Sequence, residues 1–200
     1  MSVHEALPTM ALYLSLVLVV PGPTNTLLLS SGLKVGLRRT LPLVVAEAMG
    51  YVVAISAWGF FLFALAASRP WLMATVKLLS SAYILWLAVK MWRKSRSLHN
   101  LAARPVGFRD VFVATLMNPK AVLFASTAFP IEAFQSGEYF MQAILVFLIV
   151  LAPIGIGWSG LGGLLTSRRS WSAYTSTFLR CASLVLVMFS GSLVYSILHP

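Results

Sequence analysis

Six long apolar runs, each poor in charge, alternate with short polar segments along the chain. A helix needs about 20 residues to cross a hydrocarbon core of roughly 30 Å, and these runs have that length. They are continuous and do not alternate between apolar and polar positions, so they predict helices and not the strands of a barrel. We expect an all-α membrane protein with six transmembrane helices at 7–31, 41–67, 71–89, 111–129, 139–166 and 181–198.

The predicted helices fill the chain and leave connections too short for a separate soluble domain, so we expect a single transmembrane domain over 1–200. The first run is too long for a signal peptide and lacks a basic flank, and we expect it to stay in the mature chain. Three helices in each half turn the second half upside down relative to the first. This arrangement predicts two inverted three-helix repeats, about 1–96 and 105–200, a pattern typical of transporters.

The composition agrees with a membrane protein, because 59% of the residues are hydrophobic and only 10% are charged. Soluble domains contain about 45–50% apolar residues, so that class is excluded. The single cysteine excludes an intramolecular disulfide, and the three scattered histidines form no metal-ligand pattern. We therefore expect no metal or other cofactor, and no enzyme, since no Ser–His or carboxylate pair with catalytic spacing is visible.

The basic residues predict the orientation in the membrane. Twelve of the fifteen Lys and Arg residues lie in alternate connections, at 32–40, 90–110 and 167–180. The positive-inside rule places these segments in the cytoplasm and both termini outside. The alternative, that the basic segment 90–110 binds nucleic acid or anionic lipid, is weaker because this charge is ordinary for a cytoplasmic loop. We expect no nucleic-acid partner and a lipid bilayer as the surroundings.

A proline break interrupts the first predicted helix of each half, at Pro21-Gly22-Pro23 and at Asn118-Pro119. Proline lacks an N–H group and clashes with the preceding turn, so the helix kinks or unwinds there. Restarted helices with Pro23 and Pro119 at the first position, the second with Asn118 as its N-cap, would present free N–H groups and positive dipole ends. Corresponding interruptions indicate a mid-membrane site, and the positive ends favour a carboxylate. The alternative is an ordinary kink in a packing helix.

Three charged residues lie within the predicted helices. Lys120 lies roughly 14 Å into its helix, so it needs a partner or a wet cavity. Glu47 is a candidate partner or substrate ligand, the alternative being a structural ion pair. Lys77 is close enough to the outer surface to extend its charge to the interface. Further candidates to line the site are Thr24, Asn25 and Tyr51.

Small residues four apart on the predicted fifth helix, Gly155, Ser159 and Gly163, allow another helix to approach closely. Packing is a more common role for such a face than contact with a ligand. We therefore expect this face to pack against another helix.

Four stretches of the sequence carry a resemblance to a known family. They are Pro21-Gly22-Pro23-Thr24-Asn25, the segment 32–36 with Arg38 after it, the segment 81–87, and the segment 117–124 with its Asn-Pro-Lys motif and following phenylalanine. Together they resemble the lysine exporter family of bacterial amino-acid efflux proteins, the LysE/RhtB type. The resemblance implies six hydrophobic segments in the bacterial inner membrane and gradient-driven export of amino acids or close analogues. The family usually has an acid directly after a glycine in its second helix, whereas here Tyr51 follows Gly50 and the acid is Glu47.

These features predict a secondary active exporter that rocks its two halves about a central site. We expect the substrate carboxylate to meet Lys120 and the restarted helices, and the ammonium to meet Glu47, whose protonation would couple transport. A passive channel or a structural membrane subunit is the alternative. The sequence leaves open the amino acid, the coupling ion and a homo-oligomer. The predicted substrate-binding residues are Pro21, Gly22, Pro23, Asn25, Glu47, Asn118, Pro119 and Lys120.

Overall fold

A computed structural model describes residues 3–66, 70–94 and 106–165, and residues 180, 184, 187, 188, 190, 191, 194 and 195. Every regular element in this part of the chain is helical, as predicted. The α-helices are α1 (Val3–Val19), α2 (Pro23–Val35), α3 (Leu37–Ala66), α4 (Pro70–Lys94), α5 (Phe108–Leu116), α6 (Pro119–Leu123) and α7 (Gly137–Leu165). A π-helical turn (Phe124–Ala128) continues α6, and a 3₁₀ turn (Ile131–Phe134) precedes α7.

Two of these helices, α3 and α7, are each long and apolar enough to cross a membrane. α1 and α2 form a pair bent by 59°, and α5 forms a pair bent by 45° with α6 and its π-helical turn. If each bent pair is one span, the described residues contain up to four spans. The predicted third helix falls within α4, and most of the predicted sixth, 181–198, lies outside the described residues. The count of six and the inverted repeat therefore stay predictions.

The connection predicted at 32–40 is almost entirely helical, which corrects the sequence analysis. α2 ends at Val35 and α3 begins at Leu37, so only Gly36 separates them. Gly36 has a φ of 79°, a left-handed conformation that glycine adopts without steric cost. Its N–H donates to Gly32 O at 3.0 Å and so closes the end of α2. The basic and polar side chains of this segment do not stop a helix.

An aromatic cluster forms the centre of the core. Tyr51 of α3, Phe124 of the π-helical turn and Phe147 of α7 are fully buried, and their ring centroids are 5.6 to 5.7 Å apart. Tilted and edge-on arrangements of this kind add to the stabilisation from apolar burial. Since the π-helical turn follows the second break directly, this cluster fixes the second break against α3 and α7.

Apolar side chains also cover the outside of the helices. On α7, Met141, Leu145 and Ile149 follow one another at intervals of four residues and are 59 to 64% exposed. A soluble protein would bury such a stripe, whereas hydrocarbon solvates it. The exposed stripe agrees with the length and apolar composition that make α7 a candidate membrane span.

The small-residue face of α7 packs against α2, as the sequence predicts. A Cβ atom on Gly32 would overlap the carbonyl oxygen of Ser159, and one on Gly162 would overlap the carbonyl oxygen of Leu29. The two backbones therefore approach each other more closely than any larger side chain would permit. This contact holds α2, and with it the first break, against α7.

Two serines connect α4 to the predicted sixth helix. The hydroxyl of Ser81 donates to the carbonyl oxygen of Ser190 at 3.1 Å, and the hydroxyl of Ser190 donates to the carbonyl oxygen of Ser81 at 3.1 Å. Because hydrocarbon offers no alternative partners, such bonds hold helices together in a membrane. The third helix of each predicted half thus contacts the other.

Candidate functional site

The first break separates α1 from α2 at residues 20–22. α2 starts with Pro23 at its first position, as the sequence predicts. Gly22 is its N-cap, and no side chain caps this end. The first bond of the new helix runs from Thr26 N to Gly22 O at 3.0 Å. The N–H groups of Thr24 and Asn25 consequently have no acceptor within their own helix. This positive helix end faces the centre of the bundle, where both side chains are buried.

The carbonyl groups released at the end of α1 bind two side chains from elsewhere in the chain. Lys120 Nζ donates to Val17 O at 2.9 Å and to Val20 O at 2.7 Å. Asn25 Nδ2 donates to Leu18 O at 2.7 Å and to Val20 O at 3.0 Å. Distances of 2.7 to 2.9 Å are typical of charge-assisted bonds from an ammonium. The lysine that sequence analysis assigned to a substrate carboxylate therefore also supports the first break.

The second break is capped by its own asparagine. Asn118 Oδ1 accepts a bond from Lys120 N at 3.1 Å, with Pro119 at the first helical position, as predicted. Asn118 Nδ2 donates to Thr24 Oγ1 at 3.0 Å and to Tyr51 OH at 2.9 Å. The structure thus joins the two breaks directly, through residues 94 positions apart in sequence.

Glu47 lies fully buried on α3, and neither oxygen of its carboxyl group has a hydrogen-bond partner among the described residues. The side chain of Thr24 is near enough to interact with the carboxyl group, although no hydrogen bond of ordinary distance and angle joins them. A Cβ atom on Gly155 would lie 3.1 Å from Glu47 Oε2, so this glycine makes room for the carboxyl group. Glu47 interacts electrostatically with Lys120, but Lys120 donates to the α1 carbonyls instead. A directly hydrogen-bonded pair, which the sequence left open, is therefore not formed.

The remaining predicted residues play different parts. Pro21 and Pro119 are partly buried and Pro23 is exposed, and all three lie at the breaks. Their contact with a substrate stays a prediction. Tyr51, a secondary candidate in the sequence, is a buried member of the site because its hydroxyl accepts a bond from Asn118. The side chain of Lys77 lies outside the described residues. Among the described residues, no three His, Cys, Asp or Glu side chains are grouped to hold a metal ion.

Sequence analysis missed the carbonyl groups of Val17 and Val20, because a carbonyl leaves no mark on residue identity. The break itself was the available signal, since every helix end releases carbonyls that need partners. It also missed the contact of Gly155 with Glu47. The position of Gly155 in the small-residue face pointed to close packing but not to a carboxyl neighbour.

A cavity of about 460 Å³ lies beside the same two broken helices. On α1 its lining runs from Ala6 to Tyr13, four residues before Val17, and on the π-helical turn it includes Thr127, seven residues after Lys120. The cavity thus lies roughly 6–10 Å along the helix axis from the site. Its lining includes Met10, Tyr13, Thr127, Phe129, Glu132 and Tyr139.

Comparison with known proteins adds a family and named relatives. The model of the family described as LysE type translocator matches residues 15–197. A cysteine/O-acetylserine efflux protein of Salmonella choleraesuis is 30% identical over 116 residues, which cover 58% of this chain and 60% of that protein. The protein of the same name from Escherichia coli is 32% identical over 119 residues, with the same coverage. The chain thus spans about 60% of the length of these relatives. No solved structure matches it.

Proposed function

Because the chain belongs to the family of LysE type translocators, we propose that it is a secondary active exporter of amino acids or close analogues across the bacterial inner membrane. Translocators are transporters and not enzymes, so the polar site is a place for a passing solute. The proposal assigns that solute to the space between Glu47 of α3 and the two breaks.

The observation that carries this proposal is the unpartnered carboxyl group of Glu47. A fully buried carboxyl group without a hydrogen bond is costly, and it is more costly in a membrane, where water cannot reach it. A ligand of opposite charge that donates hydrogen bonds to the carboxyl group would offset this cost. The α-ammonium group of an amino acid is a cation of the right size, with three N–H donors.

The carboxylate end of the solute has two sources of attraction nearby. Lys120 uses two of its three N–H donors on the α1 carbonyls, which leaves one for a ligand. The start of α2 adds the N–H groups of Thr24 and Asn25 and the positive end of the helix dipole. We therefore assign the substrate carboxylate to this side of the site and the ammonium to the side of Glu47.

The relatives suggest the size of the solute. Cysteine and O-acetylserine, named for the efflux proteins of Salmonella and Escherichia, are both small amino acids. Apart from the groups that would bind the zwitterion, the core around the site is apolar and aromatic, with Tyr51 and Phe124 fully buried. We propose a small α-amino acid as the substrate class.

For the transport cycle we propose that two inverted halves rock about the breaks and open the site to each side in turn. The reciprocal Ser81–Ser190 contact supports this, since it is what a two-fold relation between the third helices would produce. Protonation of Glu47 would remove the partner of the ammonium and release the solute. The cavity that includes Glu132 is the proposed exit on the outer side.

The function is tested by comparing extracellular metabolites from cells with and without the protein, followed by solute accumulation in inverted membrane vesicles. An exporter raises one or a few small amino acids outside and accumulates them in inverted vesicles only with a gradient. Equal movement with and without a gradient would favour a passive channel. No change in any amino acid would favour a structural subunit.

The proposed orientation, with basic segments in the cytoplasm and both termini outside, is tested by Ser97→Cys in the segment 90–110. An impermeant thiol reagent should leave this cysteine unlabelled in intact cells and label it in inverted vesicles. Cys181→Ser in the same chain removes the natural thiol from the measurement. Labelling in intact cells would contradict the orientation.

A further inference from the structure

The carbonyl groups at the end of α1 converge on one cation. Val17 O and Val20 O both bind Lys120 Nζ, at 2.9 and 2.7 Å. Asn25 Nδ2 bonds to Val20 O and to the intervening Leu18 O, so its amide fixes the direction of these carbonyl groups. The released end of α1 is therefore a preformed cluster of oxygen ligands.

The physical setting of this cluster favours a cation strongly. α1 has 17 residues, and its C-terminal end carries the negative end of the helix dipole. The cluster is cut off from water, since Val17, Val20 and Lys120 are at most 3% exposed, so electrostatic attraction there is only weakly screened. In transporters with broken helices, unwound carbonyl groups and half-helix ends of this kind coordinate the coupling Na⁺.

We propose that this carbonyl cluster is a site for a monovalent cation and that the Lys120 ammonium is the cation permanently tethered in it. The ammonium takes the place that a coupling Na⁺ would occupy, so the resting protein binds no metal cation there. It follows that export needs no Na⁺, and this consequence rests on the proposed function. The cation site itself does not depend on which solute is exported.

The absence of a side chain at Gly22 leaves just enough space for the ammonium of Lys120. A Cβ atom at this position would lie 3.2 Å from both Cε and Nζ of Lys120, tighter than an ordinary contact. Removal of the lysine side chain leaves a small space lined by carbonyl oxygens on α1 and bordered by glycine. Such a polar space binds a cation more readily than it refills with apolar side chains.

The test uses the full-length protein in detergent and measures its thermal unfolding midpoint, Tm, in NaCl, KCl or NH₄Cl against choline chloride at equal ionic strength. The wild type should show the same Tm in all four salts. Lys120→Ala should have a lower Tm in choline and should recover with a saturable dependence on the small cations. At a cation concentration about 100 times Kd, we expect a rise of about 5–10 °C.

Two control variants separate cation binding from general salt effects. Asn118→Ala disturbs the second break, which carries Lys120, but keeps the ammonium, and Lys34→Ala removes a lysine from the exposed end of α2. Both should respond to the small cations no more than to choline. A cation response in either of them would overturn the assignment.

Several further outcomes would decide against the proposal. It is wrong if Lys120→Ala is folded and shows no preference for small cations over choline, because Lys120 is then only a hydrogen-bond donor. It is also wrong if the wild type itself gains stability from Na⁺ or K⁺. If Lys120→Ala and Lys120→Ser fold only when a small cation is present, the proposal holds, whereas failure to fold in every salt contradicts it. None of these readouts depends on export, so they stand apart from the test of function.

Discussion

The two helix breaks satisfy their released backbone polar groups in different ways. The second break carries its own cap, because Asn118 accepts a bond from Lys120 N and Pro119 occupies the first helical position. The first break has no side-chain cap at its restart. Its released carbonyls depend on Asn25 from the next helix and on Lys120 from the other half of the chain. The first break is therefore a site made of backbone that other residues complete.

The second break therefore stabilises the first more than the first stabilises the second. The second break supplies both hydrogen-bond donors that cross between the breaks, the amide of Asn118 and the ammonium of Lys120. A change in the second break should therefore damage both breaks, whereas a change in the first should stay local. Glu47 stands apart from both, since it bonds to neither.

The largest effect is expected from Lys120→Ala, which removes the cation shared by the two breaks. Each charge-assisted bond contributes about 1.5–3 kcal/mol, and the proposed partner of the substrate carboxylate is lost as well. Export should fall at least 10- to 100-fold in cells, while immunoblots of membranes still find the protein there because an expensive buried charge is gone. Lys34→Ala, on the exposed end of α2, should export like the wild type. Normal export by Lys120→Ala would refute the site.

Glu47→Gln should be the next most severe change, because it keeps the shape of the side chain but removes its negative charge. Net export in vesicles should fall steeply. If Glu47 carries the coupling proton, exchange of substrate across the membrane survives while gradient-driven accumulation is lost. If Glu47 binds the ammonium, both activities fail and the apparent affinity drops. Wild-type rates in both assays would make Glu47 a structural residue.

The comparison is sharpest in a matched pair of asparagine variants, Asn118→Ala and Asn25→Ala. Asn118→Ala removes an N-cap, which contributes about 0.5–2 kcal/mol, and leaves Thr24 and Tyr51 without their donor. We expect a total loss of about 2–4 kcal/mol of stability. Asn25→Ala removes two bonds to α1 carbonyls, one of which Lys120 still binds, and should cost about 1–3 kcal/mol. The stability of both purified variants is measured by thermal unfolding. A larger loss for Asn25→Ala than for Asn118→Ala would contradict the proposal that the second break supports the first.

Much of this arrangement could be read from the sequence, because prolines and intramembrane charges are rare signals with strong physical consequences. Both breaks, the first helical positions of Pro23 and Pro119 and the cap of Asn118 are as predicted. The partners of Lys120 could not be read, since they are backbone oxygens and any residue supplies them. The turn at Gly36 could not be read either, because a single glycine suffices where a nine-residue segment with three basic side chains suggested a loop.

The smallest effect is expected from Gly22→Ala, which adds one methyl group to the first break. The backbone at Gly22, with φ of −125° and ψ of −172°, accepts alanine without strain, so stability should change by less than about 1 kcal/mol. The new Cβ would nevertheless lie 3.2 Å from Lys120 Cε and Nζ, and the ammonium must shift by a few tenths of an ångström away from its carbonyls. We therefore expect export to fall a few-fold with an almost unchanged Tm. Gly157→Ala on α7, where an added Cβ meets nothing within 4 Å, is the matched control and should change neither export nor Tm appreciably. If Gly22→Ala also exports like the wild type, the position of the ammonium is not critical, and the first break tolerates more movement than its short hydrogen bonds indicate.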